Sequence, residues 1–197
     1  LHSEYLRSGT RINAARLSLL CQPFAVGTAE TLENYINDPS FEIAGSALAD
    51  WTKTDSTGTN VRSTARSKYG TASARTTRSA GTADQELTQL LTTAFTNGDV
   101  ISASVWVYAE ALTANMVARM RLLFYNSAGS FLGSSTVQAQ PATPTAFVQL
   151  KIAGYTMTAT AGTGTVGVNL QLTGGTGTGS VFWDGLGLGK SSTIPVA

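Results

Sequence analysis

Apolar and polar residues alternate in short runs along most of this chain, and Gly, Thr, Ser and Asn separate the runs. The clearest run is Ile101 to Tyr108, where Ile101, Ala103, Val105 and Val107 take one side and Ser102, Ser104, Trp106 and Tyr108 the other. A period of two sends successive side chains to opposite faces of a strand, so the first set predicts a buried face and the second an outward one. Val117 to Tyr125 repeats the pattern, with Ala118, Met120, Leu122 and Phe124 against Arg119, Arg121, Leu123 and Tyr125. Val148, Leu150 and Ile152 predict another inward row. Val166, Val168, Leu170 and Leu172 predict a further one, which leaves Asn169 and Gln171 outside. Phe131 to Val137 and Val181 to Leu188 read as the remaining late strands. Strands about a dozen residues apart, with polar turns between them, predict an all-β chain folded as a two-sheet antiparallel β-sandwich.

The earlier part of the chain is less regular. Thr52 to Asn60 reads as a polar loop, and Val61 to Ala74 as weak strands around a Tyr69-Gly70 turn. Asp84 to Phe95 admits two readings: Leu87, Leu90 and Leu91 have helical spacing, while Leu87, Gln89 and Leu91 alternate. Thr88, Thr92 and Thr93 weigh against a helix because β-branched side chains lose rotamer freedom there. Asn97-Gly98-Asp99 is a hairpin signal, so two strands meeting at that turn is the more economical reading.

Residues 1–34 stand apart. Ala15 to Cys21 alternates, with Leu17, Leu19 and Cys21 on one face and Arg16 and Ser18 on the other, until Pro23 ends the pattern. Gly27 to Asn34 has the residues of a short helical turn, with Thr28 as its cap. A lone strand cannot bury its face, so this one is expected to pair with the sandwich, with a neighbouring subunit or with a domain outside the chain. An extended N-terminal arm that docks elsewhere is the favoured reading. The predicted organisation is an arm over 1–34, a sandwich over 35–190 and a tail over 191–197.

Composition removes several functions. Only 13% of residues are charged, about half the usual share, so small neutral side chains must cover the surface, as suits strands and tight turns. The net charge is +1, which gives a polyanion no general attraction. Arg62, Arg66, Lys68, Arg75 and Arg78 form a local basic run, but only Tyr69 interrupts it with a ring. That run reads as a solvated face, and no nucleic-acid partner is expected. No stretch of about twenty apolar residues is present, so no membrane-spanning helix is expected.

The lone cysteine, Cys21, cannot form an internal disulfide and reads as a small packed apolar group. Leu1 in place of Met suggests a processed product or a piece of something longer. His2 is the one histidine, which removes histidine triads and histidine metal sites. Gly185-Leu186-Gly187-Leu188-Gly189-Lys190-Ser191 imitates a phosphate loop, but Asp184 stands where the first glycine is needed and too little chain follows for the required helix. No catalytic constellation appears, and the chain is expected not to be an enzyme.

The outward sides of three strands do offer a recognition surface. If those strands adjoin, Trp106, Arg119, Arg121, Tyr125, Asn169 and Gln171 form a patch of rings, amides and guanidinium groups. Sugars suit such patches, because C–H faces stack on rings and hydroxyls pair with planar polar groups. The competing reading has loops covering Trp106 and Tyr125 while Arg119 and Arg121 are solvated.

One ordered set of motifs carries a family resemblance. Asn37-Asp38-Pro39-Ser40-Phe41-Glu42 is followed by Trp51, Tyr69-Gly70 and Glu86-Leu87-Thr88-Gln89. Gly98-Asp99 then leads into Ser104-Val105-Trp106-Val107, and Phe182-Trp183-Asp184-Gly185-Leu186 comes last. From Tyr35 to Leu188 this order resembles the jelly-roll carbohydrate-binding modules of the CenC type. The resemblance implies a jelly roll, sugar binding without catalysis and no required cofactor. It also implies a structural calcium ion near the chain ends, with Glu42 and Asp184 as ligands by position.

Arg16-Leu17-Ser18-Leu19-Leu20-Cys21-Gln22-Pro23-Phe24 running into the Asn37 to Glu42 motif also resembles phage tail and other virion proteins. That similarity implies a decoration protein on a tail or capsid surface. Its arm would join other virion subunits in a homo-oligomeric assembly, with adhesion to a cell-surface glycan as an added role. The alternative is a polysaccharide-binding module of a secreted bacterial protein or glycoside hydrolase.

Overall fold

The computed structural model describes residues 33–43, 48–55, 57–91, 95–113, 115–139, 146–157 and 164–190. The chain divides into two compact units, Leu1–Thr31 and Leu32–Ala197, and every described residue belongs to the second. The expected arm strand and the C-terminal tail lie outside the described residues. So do Thr92 and Thr93, and all but the end of the helical turn expected over 27–34.

All ten described elements are strands: β1 (Thr52–Thr54), β2 (Gly58–Ser63), β3 (Ser73–Arg78), β4 (Gln85–Leu90), β5 (Val100–Glu110), β6 (Met116–Tyr125), β7 (Phe131–Ala139), β8 (Val148–Thr156), β9 (Val166–Gly174) and β10 (Gly179–Lys190). They form two five-stranded antiparallel sheets, ordered β1-β4-β9-β6-β7 and β2-β3-β10-β5-β8. This is the two-sheet antiparallel β-sandwich that the alternation predicts, in the jelly-roll form that the resemblance implies. No helix of the described chain is long and apolar enough to cross a membrane.

The inward rows of β5, β6 and β9 meet between the sheets. Ile101, Ala103, Val105, Val107, Ala118, Met120, Leu122, Val166, Val168, Leu170 and Leu172 are fully buried. Burying an aliphatic side chain contributes about 1.5–3 kcal/mol, so these rows supply the main force that closes the sandwich. A polar thread crosses the core: Trp183 Nε1 donates to Thr76 Oγ1 at 3.0 Å, and Thr76 Oγ1 donates to Asn60 Oδ1 at 2.6 Å. Asn60 Nδ2 in turn donates to the Glu86 carbonyl at 3.2 Å, which ties β2 of one sheet to β4 of the other.

Several expectations need correction. Thr52 to Asn60 contains β1 and the start of β2; because β1 is an edge strand exposed along its whole length, it carries no apolar alternation. Asp84 to Phe95 is extended through Leu90, but β4 and β5 lie in different sheets, so Asn97-Gly98 does not close a hairpin between them. The turn docks on the end of β8 instead, with Gly98 N donating to the Met157 carbonyl at 2.9 Å. Val148 is exposed because β8 is an edge strand, whereas Leu150 and Ile152 point inward as expected. The Asn37 to Glu42 motif is a turn. It is fastened to β10 by Leu186 N donating to the Pro39 carbonyl, while Tyr35 N donates to that of Leu188, both at 2.9 Å.

The basic run is a solvated face only in part: Arg66 and Lys68 are exposed, whereas Arg78 is not. Arg78 is fully buried and donates to the carbonyls of Gly177, Ala83, Gly174 and Gly175, so it closes the turn before β10. Arg66 pairs with Glu110 at 2.8 Å and lies over the Tyr108 ring, and Arg75 lies over Phe182.

Candidate functional site: the outer face of the β4–β9–β6 sheet

Register builds this face row by row. Glu86, Gln171 and Arg119 are aligned across β4, β9 and β6, with Thr54 flanking them on β1. The next row is Thr52, Thr88, Asn169, Arg121 and Thr136. A third is Leu90, Gly167, Leu123 and Ser134. Tyr125 and Phe131 close one end of the face with an edge-to-face pair at 5.7 Å.

β9 is the middle strand, and its outward amides are covered by longer side chains from both neighbours. Asn169 and Gln171 are each only 1% exposed although they point away from the core. Asn169 Nδ2 donates to Glu86 Oε2 at 3.1 Å and to Thr88 Oγ1 at 2.7 Å. Gln171 Nε2 donates to Glu86 Oε1, and Arg119 Nε donates to Gln171 Oε1 at 2.6 Å. Arg119 also pairs with Asp84 at 3.6 Å. Two groups stand outside this network: the Asn169 Oδ1 atom is buried without a partner, and Arg121, half-buried, makes no hydrogen bond or ion pair among the described residues. In the third row Leu90 leans over Gly167, where a Cβ would come within 2.8 Å of Leu90 Cδ2. The result is a polar half and an apolar half on one flat surface.

Five of the six residues expected to form a recognition patch share this face. Arg119, Arg121, Asn169 and Gln171 form its polar half. Tyr125 lies about 13 Å farther along β6 from Arg121, four residues at strand rise. Trp106 is elsewhere. Its strand, β5, sits between β10 and β8 in the other sheet, so the three strands do not adjoin. Sequence reasoning missed Glu86, Thr88, Asp84 and Phe131 as members of the face. The alternation of Glu86 and Thr88 with Leu87 and Gln89 was the signal for the first two.

On the outer side of the second sheet a loop lies beside Trp106, which stays half-exposed. Lys68 Nζ lies 4.2 Å from the Trp106 ring centroid, and Tyr69 rests on Gly185. Gly185 has φ +57, and a Cβ there would meet Tyr69 at 2.5 Å and Trp106 at 3.1 Å, so the close approach requires glycine. Asp184 Oδ2 accepts from Lys68 N at 2.5 Å and Tyr69 N at 2.8 Å, and Oδ1 accepts from Gly185 N at 2.7 Å. Glu42 Oε1 accepts from Thr71 N and Ala72 N, both at 2.7 Å, and Oε2 accepts from the Thr71 hydroxyl at 2.8 Å. Together the two carboxylates pin the loop beside Trp106.

Their titration differs with their surroundings. Burial pushes the Asp184 carboxyl above its ordinary range, outweighing its three N–H donors, and the Glu42 charge adds to the rise. The Ala72 N–H and the Thr71 hydroxyl hold the Glu42 carboxyl below its ordinary range.

Glu42 and Asp184 do not fit the expected calcium site. Calcium takes six to eight oxygens, whereas N–H and hydroxyl donors already occupy both carboxylates. The Arg62 guanidinium holds the neighbouring carbonyls, with Nε donating to Phe41 O at 2.7 Å and Nη2 to Glu42 O at 3.3 Å. Among the described residues, no three His, Cys, Asp or Glu side chains gather as a metal site.

No protein-family model and no curated protein matches the sequence. Solved structures do resemble the fold. One is the enzymatically active domain of bacteriophage CBA120 tailspike protein 4, with 14% identity and a TM-score of 0.62 over 79% of this chain and 21% of that one. The chain thus spans about a fifth of the length of that tailspike domain. A xylan-binding domain from CBM 22 matches with 18% identity and a TM-score of 0.57 over 82% of this chain and 97% of its own. TmCBM61, solved with β-1,4-galactotriose, matches with 14% identity and a TM-score of 0.53 over 81% and 99%. The fold is that of carbohydrate-binding modules.

Proposed function

We propose that this chain is a non-catalytic glycan-binding module carried on the surface of a phage particle, as a tail or capsid decoration. The observation that carries the glycan reading is the outer face of the β4–β9–β6 sheet. There, Glu86, Asn169, Gln171 and Arg119 form a pre-ordered layer of donors and acceptors beside an apolar half made by Leu90, Gly167 and Leu123. Hydroxyls pair with the first half and sugar C–H faces lie on the second. The two carboxylates near the face are committed to holding it together, Glu86 by the two amides and Asp84 by Arg119. This favours binding over hydrolysis, which needs an acid and a base free to act on the bond.

The likeness to a tailspike domain supports the particle setting. In that setting residues 1–34 tether the module to neighbouring subunits in a repeated assembly. The near-complete coverage of free-standing sugar-binding modules favours a second reading, a polysaccharide-binding module of a secreted bacterial protein.

Affinity electrophoresis of the chain through gels containing polysaccharides tests the shared claim. Retardation that is lost in Arg119→Ala supports it, and migration unchanged in every gel removes it. Deleting residues 1–26 separates the settings: a soluble module that no longer joins particles supports the tether, and assembly without the arm contradicts it.

A further inference from the structure

We infer that the ligand of this face is an acidic glycan, one whose sugar units carry a carboxylate that Arg121 receives. The inference rests on the glycan-binding reading and names its substrate class.

The other described arginines are all occupied. Arg62 is bonded to the Phe41 and Glu42 carbonyls, and Arg66 and Arg75 to Glu110 and the rings beneath them. Arg78 is bonded to four buried carbonyls, and Arg119 to Gln171 and Asp84. Arg121 differs from all of them: it is half-buried on the central polar row and has no carboxylate, carbonyl or ring as partner among the described residues. Its strand neighbours in that row are Asn169 on β9 and Thr136 on β7, neither of which carries charge.

A half-buried guanidinium has lost part of its hydration, and an anion is the partner that offsets that loss most strongly. Its planar fork matches a carboxylate in bidentate geometry, which neutral hydroxyls do not reproduce. Beside it, the Asn169 side chain is 1% exposed and its Oδ1 lacks a donor, while its Nδ2 is already occupied by Glu86 and Thr88. That amide is enclosed by its neighbours, so the charged group open to a ligand in this row is Arg121. A hexuronate supplies an anion there from its own ring, and a neutral hexose does not. The apolar row at Leu90, Gly167 and Leu123 lies next along the strands, where the adjoining sugar can rest.

The test uses the full chain and matched polymers: polygalacturonate, alginate and hyaluronate, each beside its carboxyl-reduced form, with neutral xylan and β-1,4-galactan as further arms. The reduced polymers keep chain and linkage and lose only the charge. At least one acidic polymer should bind tenfold or more tightly than its reduced form, and the preference should weaken as salt rises. Arg121→Gln should abolish that preference, so that acidic and reduced polymers are bound alike, while its thermal melt is not lowered. Equal affinity for acidic and reduced forms, preference for a neutral polymer, or an Arg121→Gln variant that keeps the acidic preference overturns the inference and leaves the glycan-binding reading intact. Binding to none of the polymers overturns both.

Discussion

Arg119 Nε donates to Gln171 Oε1 at 2.6 Å across β6 and β9, and this bond joins the two halves of one polar layer. On the far side of Gln171, Glu86 accepts from its amide and from that of Asn169. Three strands are thus linked by side chains as well as by their backbone ladder, and the groups that would meet a sugar are already oriented. Binding to a surface ordered in advance loses less entropy than binding to one that must be arranged on contact.

Glu86 is the common acceptor of that layer, so its loss should be felt twice. Glu86→Ala leaves the buried amides of Asn169 and Gln171 short of a partner and should destabilise the fold by about 1–3 kcal/mol. Polysaccharide retention should fall at least tenfold in the same variant. Denaturant melts and affinity electrophoresis check both effects, and an unchanged melt would show that the amides do not depend on this carboxylate.

Trp106 should behave in the opposite way. It lies in the other sheet, beneath Lys68 and Tyr69, so Trp106→Ala should leave glycan retention at the wild-type level. The loop beside it should loosen, at a cost of about 1–2 kcal/mol from the lost ring contacts. Loss of retention in a folded Trp106→Ala variant would move the binding surface to the second sheet.

Glu42 should give the fold part of its acid sensitivity. Its carboxyl is held below the ordinary value of 4.5 in the folded chain. The stabilisation it adds is therefore full above that value and is lost as pH falls through the lower, folded one. Asp184 works in the opposite sense, since its raised carboxyl makes protonation favour the folded form. Melting curves of wild type and Glu42→Gln should differ most near neutrality and converge in acid; a constant gap would deny the titration of Glu42 this role.

Chelation should not matter to the fold. With Arg62 on the Phe41 and Glu42 carbonyls and six donors on the two carboxylates, the melting temperature should be the same with and without EGTA. A drop on chelation would mean that a bound cation stabilises the folded state by mass action.

The parts of this molecule that were legible in its sequence are those where one face of a strand is wet and the other dry. Ala118, Met120 and Leu122 alternate with Arg119 and Arg121 because β6 is covered on one side only, and the strand and its facing follow at once. β1 gave no such sign, since Thr52, Lys53 and Thr54 are all exposed at the sheet edge. Alternation also says which side of its own strand a residue takes but not which sheet that strand joins. Trp106 and Arg121 both point outward, yet from opposite layers, and nothing local in either run carries that information. Arg78 read as part of a charged surface because the carbonyls that bury it belong mostly to a turn almost a hundred residues later.

If sugar meets the outer face of the β4–β9–β6 sheet, the side-chain amides there report on it directly. In a ¹⁵N–¹H titration with oligosaccharides of polygalacturonate, xylan and β-1,4-galactan, the Asn169 and Gln171 side-chain signals should shift in a saturable way with at least one ligand. The Arg121 guanidinium signals should move with them. Saturable shifts confined to Tyr69, Trp106 and Tyr108 on the second sheet, with Asn169 and Gln171 unmoved, would contradict it.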